Sequence, residues 1–210
     1  MPLVLAGATS GSITIDVPAT AGTNTLSLPA VTDTLVGLAA TQTLTNKSIV
    51  ATQLTGTIAS ARLPAGSVLQ VVGNNVVPSV QFSTASASYV TWATAPSATI
   101  TLTNSSSKVL ISARIGMQWD AGDQIENTIY RIISGGSTTD LSGGNTYGLS
   151  FHGTSFSGGL WKETVITWID TPSTASAITY TWYARAESSG TIYPDHGGAA
   201  NTITLMEIAP

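Results

Sequence analysis

The sequence predicts an all-β protein in two parts: an N-terminal β-rich region over residues 1–80 and a C-terminal antiparallel β-sandwich, jelly-roll-like, over 81–210. Three observations carry this. Apolar and polar residues alternate with period two in run after run, and no segment of useful length carries the helical period. Gly, Pro, Asn, Asp and Ser separate the runs at the spacing of a sandwich or jelly-roll. All fourteen Phe, Trp and Tyr residues lie at or beyond Phe82, so the chain changes character near residue 80.

In the first part, Ile13-Thr14-Ile15-Asp16-Val17 and Leu26-Ser27-Leu28 alternate as half-buried strands do. Pro and Gly punctuate these units. Two short echoes recur: Val17–Thr23 in Leu28–Thr34, and Thr41–Asn46 in Thr52–Gly56. Residues 1–81 carry only four charges, Asp16, Asp33, Lys47 and Arg62, and no aromatic ring. Each ring buries roughly 150–250 Å² in a compact domain. Without one, this stretch is short of the bulk needed to offset its chain entropy. It is also too apolar for a solvated tail. Burial of its apolar face against other copies of the chain, in the manner of stacked repeats, resolves the conflict. Residues 62–81 read as a junction, with a short strand over Val68–Val72 and a turn at Gly73-Asn74-Asn75.

The second part has a cleaner pattern. Lys108–Trp119 places Val109, Ile111, Ala113, Ile115, Met117 and Trp119 on one face, with Ser112, Arg114 and Gln118 on the other. Further strands are expected at Gln81–Trp92, Ala98–Thr103, Gln124–Ser134, Thr146–His152, Leu160–Asp170, Ile178–Glu187 and Asn201–Ile208. Gln124–Ser134 and Leu160–Asp170 carry apolar residues on both faces. Such a strand lies under a loop in a monomer, or against a neighbouring subunit in an oligomer.

Charged residues make up 9% of the chain, far below the usual ~25%, and the formal charge is −4. A neutral, hydroxyl-rich surface suits an assembly better than a protein kept apart by charge. No basic stripe exists for a phosphate backbone, so nucleic acid is not an expected partner. The absence of cysteine excludes disulfides and thiol-ligated metals. The start lacks the basic flank and apolar run of a signal peptide, and membrane insertion is not expected.

Catalytic ingredients are sparse, and an enzyme is not expected. The two histidines, His152 and His196, have no Gly-x-Ser-x-Gly elbow to serve. Asp120, Asp123 and Glu126 form an acidic cluster that reads as a solvated turn rather than a Ca²⁺ loop. Asp140, Asp170 and Asp195 offer the carboxylates a glycosidase would need across a groove. Asp195-His196-Gly197-Gly198 reads as a polar loop before the last strand. No cofactor or metal is expected. For recognition of sugars, the residue types to look for are exposed rings with polar neighbours. Tyr147, His152, Phe156 and Trp161 in the Gly-rich segment, and Tyr193 with His196, are the candidates, with Phe151 beside them. Trp161 and Phe151 have an alternative as core residues.

Gly22-Thr-Asn-Thr-Leu-Ser-Leu-Pro29, Thr43-Leu-Thr-Asn-Lys-Ser-Ile49 and Gly56-Thr-Ile-Ala-Ser-Ala-Arg-Leu-Pro64 resemble low-aromatic segments of bacteriophage tail fibres, cyanophage fibres especially. Asn201-Thr-Ile-Thr-Leu-Met-Glu-Ile208 is similar to the last strand of β-domains that close such fibres. The resemblance implies a homotrimer with an intertwined β-rich fibre stalk and a host-facing C-terminal tip. It also implies a virion structural protein, assembled in the host cytoplasm and exposed on the particle surface. Its partners would be other tail or capsid proteins and a host surface polysaccharide. The alternatives are an architectural adaptor or capsid decoration fibre, and a free carbohydrate-binding lectin.

Overall fold

In the computed structural model, the described residues are 3–6, 8–15, 18–20, 22–23, 25, 30, 48–50, 52, 55–56, 58–119, 123–153, 160–187, 190–195 and 200–210. The chain divides into two units, Met1–Thr55 and Gly56–Pro210.

In the first unit, β1 (Leu3–Ala6) and β2 (Ser12–Ile15) form an antiparallel hairpin, with Leu3 opposite Ile15. Gly11 sits just before β2 at φ +77°, in the left-handed region that glycine enters without strain. Every side chain described in this unit is exposed, including Val4, Leu5, Ile15, Ile49 and Val50. The expected strand at Leu26–Leu28 lies outside the described residues.

Among its described residues the second unit is all-β apart from a 3-10 turn at Ser60–Arg62. Its strands are β3 (Val68–Val76), β4 (Ser97–Thr101), β5 (Lys108–Trp119), β6 (Ile125–Ile133), β7 (Thr138–Asp140), β8 (Ser150–His152), β9 (Leu160–Asp170), β10 (Ala177–Ala186), β11 (Ile192–Tyr193) and β12 (Asn201–Ile208). One sheet runs β4-β10-β6-β7, with β8 also on β6. The other runs β3-β12-β5-β9, with β11 extending the β12 side of β5. All these pairings are antiparallel. The strands of five or more residues, β3, β4, β5, β6, β9, β10 and β12, alternate between the sheets in chain order, the order of a jelly-roll.

Period-two patterning sets which face is buried. On β5 the six residues expected inside, Val109 through Trp119, are all buried. They meet Ile178, Tyr180, Trp182, Ala184 and Ala186 from β10, all fully buried. Ile203 and Leu205 of β12 and Ile125 and Ile129 of β6 complete one core shared by both sheets. Trp182 Nε1 donates to Asn127 Oδ1 at 3.0 Å, which satisfies the ring's only polar atom inside that core.

Several expectations needed correction. Gly73-Asn74-Asn75 is no turn: β3 runs through it to Val76, paired residue by residue with β12. Tertiary pairing overrides local turn preference there, helped by Asn74 Nδ2 donating to the Ser97 carbonyl at 3.2 Å. The strand at 68–76 therefore belongs to the sandwich unit. Gln81–Trp92 is not a strand; only Thr84 and Val90 make isolated bridges, to Ile192 and Ala184. Its hydroxyls compete with the ladder: Thr84 Oγ1 accepts from Ser86 N at 3.0 Å, and Ser86 Oγ from Ser88 N at 3.1 Å. β7 (Thr138–Asp140) is short and polar, and β11 has only the two residues Ile192 and Tyr193, so neither carries enough alternation to announce itself.

β6 and β9, the two strands with apolar residues on both faces, differ in position. β6 is central, and residues 125–129 are buried on both sides, with Leu149 N donating to the Asn127 carbonyl from the covering loop. β9 pairs only with β5 among the described residues. Its outward Trp161, Val165 and Ile169 are 65%, 54% and 61% exposed.

Candidate functional surfaces

The outer face of the β4-β10-β6 sheet is built from short, polar and tyrosine-bearing rows. Ser97 faces Thr181 and Thr99 faces Thr179 across β4 and β10, each hydroxyl pair 2.8 Å apart. Thr181 is in turn opposite Tyr130 on β6, and Tyr130 opposite Asp140 on β7. Tyr130 lies 4.2 Å from Tyr183 between ring centroids, and Tyr89 meets Tyr130 edge-on at 6.3 Å. The Arg185 guanidinium sits 4.7 Å over the Tyr89 ring and pairs with the fully buried Glu126 carboxylate. Burial pushes the Tyr89 hydroxyl up to about 12, and burial followed by the Asp140 charge raises Tyr130. Tyr89 and Tyr130 therefore stay neutral over the physiological range; the rings of Tyr89, Tyr130 and Tyr183 are partly exposed, while the Tyr89 hydroxyl itself is buried. Aromatic faces beside a row of hydroxyls form a surface that sugar rings can stack on.

The six residues predicted as contacts are not one cluster. Tyr147 and Phe151, both about half exposed, pair at 4.8 Å on the side of β8 that neighbours Glu126. His152, the next residue, points the other way: its ring stacks on Trp119 at 5.4 Å, and Nε2 bonds Thr164 of β9. Burial, and then the Lys162 charge, lower its pKa below the ordinary histidine value. Trp161 and Tyr193 both flank Gln118, forming a row across the opposite sheet. Phe156 and His196 lie outside the described residues. Sequence reasoning missed the Tyr89, Tyr130 and Tyr183 group. The outward phase of Tyr183 in the alternation of β10 was its one available signal.

The carboxylates are structural. Asp123 and Glu126 are buried, so they are not a solvated turn; Asp120 is outside the described residues. Among the described residues, no three His, Asp or Glu side chains gather as a metal would need. Asp195 is buried too, which corrects its placement in a polar loop. It accepts from Trp92 Nε1 at 3.0 Å, Asn201 Nδ2 at 2.7 Å and the Thr94 hydroxyl. Asp140 accepts from Thr128 and from both Ser142 N (2.9 Å) and Oγ (2.8 Å). Asp170 is held by Arg131 and Tyr180. A depression of about 400 Å³ beside the 3-10 turn is lined by Ser60, Leu63, Thr103, Asn104 and Pro210 among others, with no Asp, Glu or His in its wall.

The outer face of the second sheet contrasts with the first. Its registered rows read Val71–Met206–Leu110–Ile169, Gly73–Thr204–Ser112–Thr167 and Asn75–Thr202–Arg114–Val165. The only outward ion pair among the described residues of this face is Arg114–Glu163 at 3.4 Å.

Fold and surfaces together define an antiparallel β-sandwich with two chemically distinct outer faces. No protein-family model matches the chain, and no curated protein matches it. A chain in the structure of infectious bursal disease virus Gt strain is similar over 75% of this chain, at 14% identity and a TM-score of 0.33. This chain spans 47% of that one's length. No described helix is long and apolar enough to cross a membrane.

Proposed function

We propose that this chain is a structural component of a bacteriophage virion: a short homotrimeric tail fibre that attaches to the host through its C-terminal sandwich. The resemblance of residues 22–64 to fibre segments supports the virion setting. The wholly exposed apolar side chains described in the first unit support a shared interior, since one copy alone leaves them in water. One observation carries the attachment role: the Tyr89, Tyr130 and Tyr183 group beside the Ser97, Thr99, Thr179 and Thr181 hydroxyls. Stacking on the rings and hydrogen bonds to the hydroxyl row would hold a host polysaccharide weakly at each subunit. Three copies per fibre, and several fibres per particle, multiply weak sites into lasting attachment.

A second reading, an architectural adaptor or capsid decoration fibre, is favoured by the apolar outer face of the β3-β12-β5-β9 sheet. Light scattering on the full chain, with binding to an array of bacterial surface polysaccharides, separates the readings. A trimer that binds glycans and loses them in Tyr130→Ala with Tyr183→Ala supports the attachment fibre. A trimer that binds none favours the adaptor, and a stable glycan-binding monomer makes the chain a free lectin.

A further inference from the structure

We infer that the outer face of the β3-β12-β5-β9 sheet is the surface on which further copies of this chain dock; this rests on the oligomeric reading above and names its contact. The end of the face where β3 begins is apolar where a folded monomer should be polar, while the rows through Gly73 and Asn75 beside it carry Thr, Ser and Arg114. Val68, Val71, Val165 and Ile169 are each more than half exposed, with Leu110, Met206 and Ile208 between them partly so. A depression of about 350 Å³ at the β9 side is lined by Leu110, Thr167, Trp168 and Ile169. Contiguous apolar surface of this kind marks an interaction site.

Area, charge and shape point to a second copy as the occupant. Four strands about 4.8 Å apart, of nine, eight, twelve and eleven residues rising ~3.4 Å each, give the face roughly 650 Å². A stable interface buries about 800 Å² per partner, so the face alone nearly supplies one. Its described outward charges are Lys108, Arg114 and Glu163 only. Arg114 and Glu163 are 40% and 54% exposed, so symmetry-related copies can exchange them, Arg114 of one meeting Glu163 of the next. The Gly73–Thr204–Ser112–Thr167 row is small and level, which lets neighbouring copies pack closely around a shared axis without a shaped partner. The outer edge of β9, with no strand partner among the described residues, borders the same patch.

The chain has no cysteine, which makes the test direct. Ser112→Cys and Thr167→Cys place a thiol on this face, and Thr99→Cys on the outer face of the other sheet; all three positions are exposed in a single copy. Maleimide labelling of the full-length variants is timed, and the mass of each sample is measured by light scattering. In an oligomer, the first two should react at least about tenfold more slowly than Thr99→Cys, since access requires the interface to open. An oligomer in which all three react equally overturns this inference and leaves the homotrimer standing. A monomer overturns both, and slow labelling in a monomer would mean that another part of the same chain covers the face.

Discussion

Arg131 on β6 donates two hydrogen bonds to the Asp170 carboxylate on β9, at 2.8 and 3.0 Å, and so fastens one sheet of the sandwich to the other. Tyr180 on β10 donates to the same carboxylate at 2.7 Å. Burial, with the hydrogen bond to Asp170 second, raises the Tyr180 hydroxyl above its ordinary range, so it stays a donor. The side chains of Arg131 and Asp170 are only 17% and 8% exposed. Breaking one half of such a pair leaves a charge in a dry site. Asp170→Ala should therefore cost about 3–5 kcal/mol by urea unfolding. The triple change Arg131→Met, Asp170→Leu, Tyr180→Phe should recover most of that, because nothing is then left unpaired. If Asp170→Ala and the triple variant were equally unstable, packing rather than the charge would be what matters there.

Much of this sandwich was legible in the sequence. The bounds of β5 and β12 follow from alternation, those of β9 from its apolar run between breaks, and the inward set on β5 agrees residue for residue. Alternation reports which face is buried but not what covers the other face. That is why β6 and β9 read alike although one lies under a loop and the other at a sheet edge. Turn signals misled at Gly73-Asn74-Asn75, where eight residues of β12 supply a ladder that local preference cannot anticipate. Site residues were harder. Phe151 and His152 are adjacent, so the pleat sends them to opposite faces, and no list of aromatic residues in a segment captures that. The acidic residues were misread because burial of Asp123, Glu126 and Asp195 depends on donors 59 to 103 positions away in two of the three cases.

Glu207 on β12 joins three parts of the second unit. It accepts from Gln70 Nε2 of β3 at 2.6 Å, and from Thr103 N and Oγ1, each at 2.9 Å, with Asn104 N at 3.2 Å. Burial alone would raise its pKa; the hydrogen bonds from Gln70, Ser107 and Thr103 outweigh it and hold the carboxyl below its ordinary value. The folded state thus favours the ionised form. That stabilisation is present above the unfolded value and is lost as pH falls through the folded one. Glu207→Gln should cost about 2–3 kcal/mol at neutral pH. Its stability should also decline less steeply than the wild type below about pH 4.5. Parallel decline of the two proteins in acid would assign the acid sensitivity elsewhere.

His152 should act in a separate, milder window. Burial against Trp119, and then the Lys162 charge, favour the neutral ring, so the folded pKa lies below the 6.5 of the unfolded chain. Stability from this group is complete above that value and drains as pH falls from it toward the folded pKa. Melting temperatures at pH 8 and pH 5 should therefore differ more for the wild type than for His152→Gln. The variant also weakens the contact to Thr164, so its melting point should be lower at both pH values. Identical pH dependence in the two proteins would show that the ring does not sense acid.

Gly148 links the covering loop to the tyrosine face. Its φ is +67°, and a Cβ there would collide with the Asn127 carbonyl and the Tyr89 hydroxyl. Asn127 cannot yield, because its side chain accepts the Trp182 indole and its carbonyl accepts Leu149 N at 2.8 Å. The loop and Tyr89 must move instead. Gly148→Ala should lose the ~1–2 kcal/mol of a left-handed non-glycine residue together with the cost of that displacement. Because Tyr89 packs on Arg185 and Tyr130, the change should also perturb the Tyr130–Tyr183 pair, which near-ultraviolet circular dichroism would register. The same variant should weaken polysaccharide binding if those rings are the platform. Unaltered binding with a lowered melting point would separate the loop's structural role from recognition.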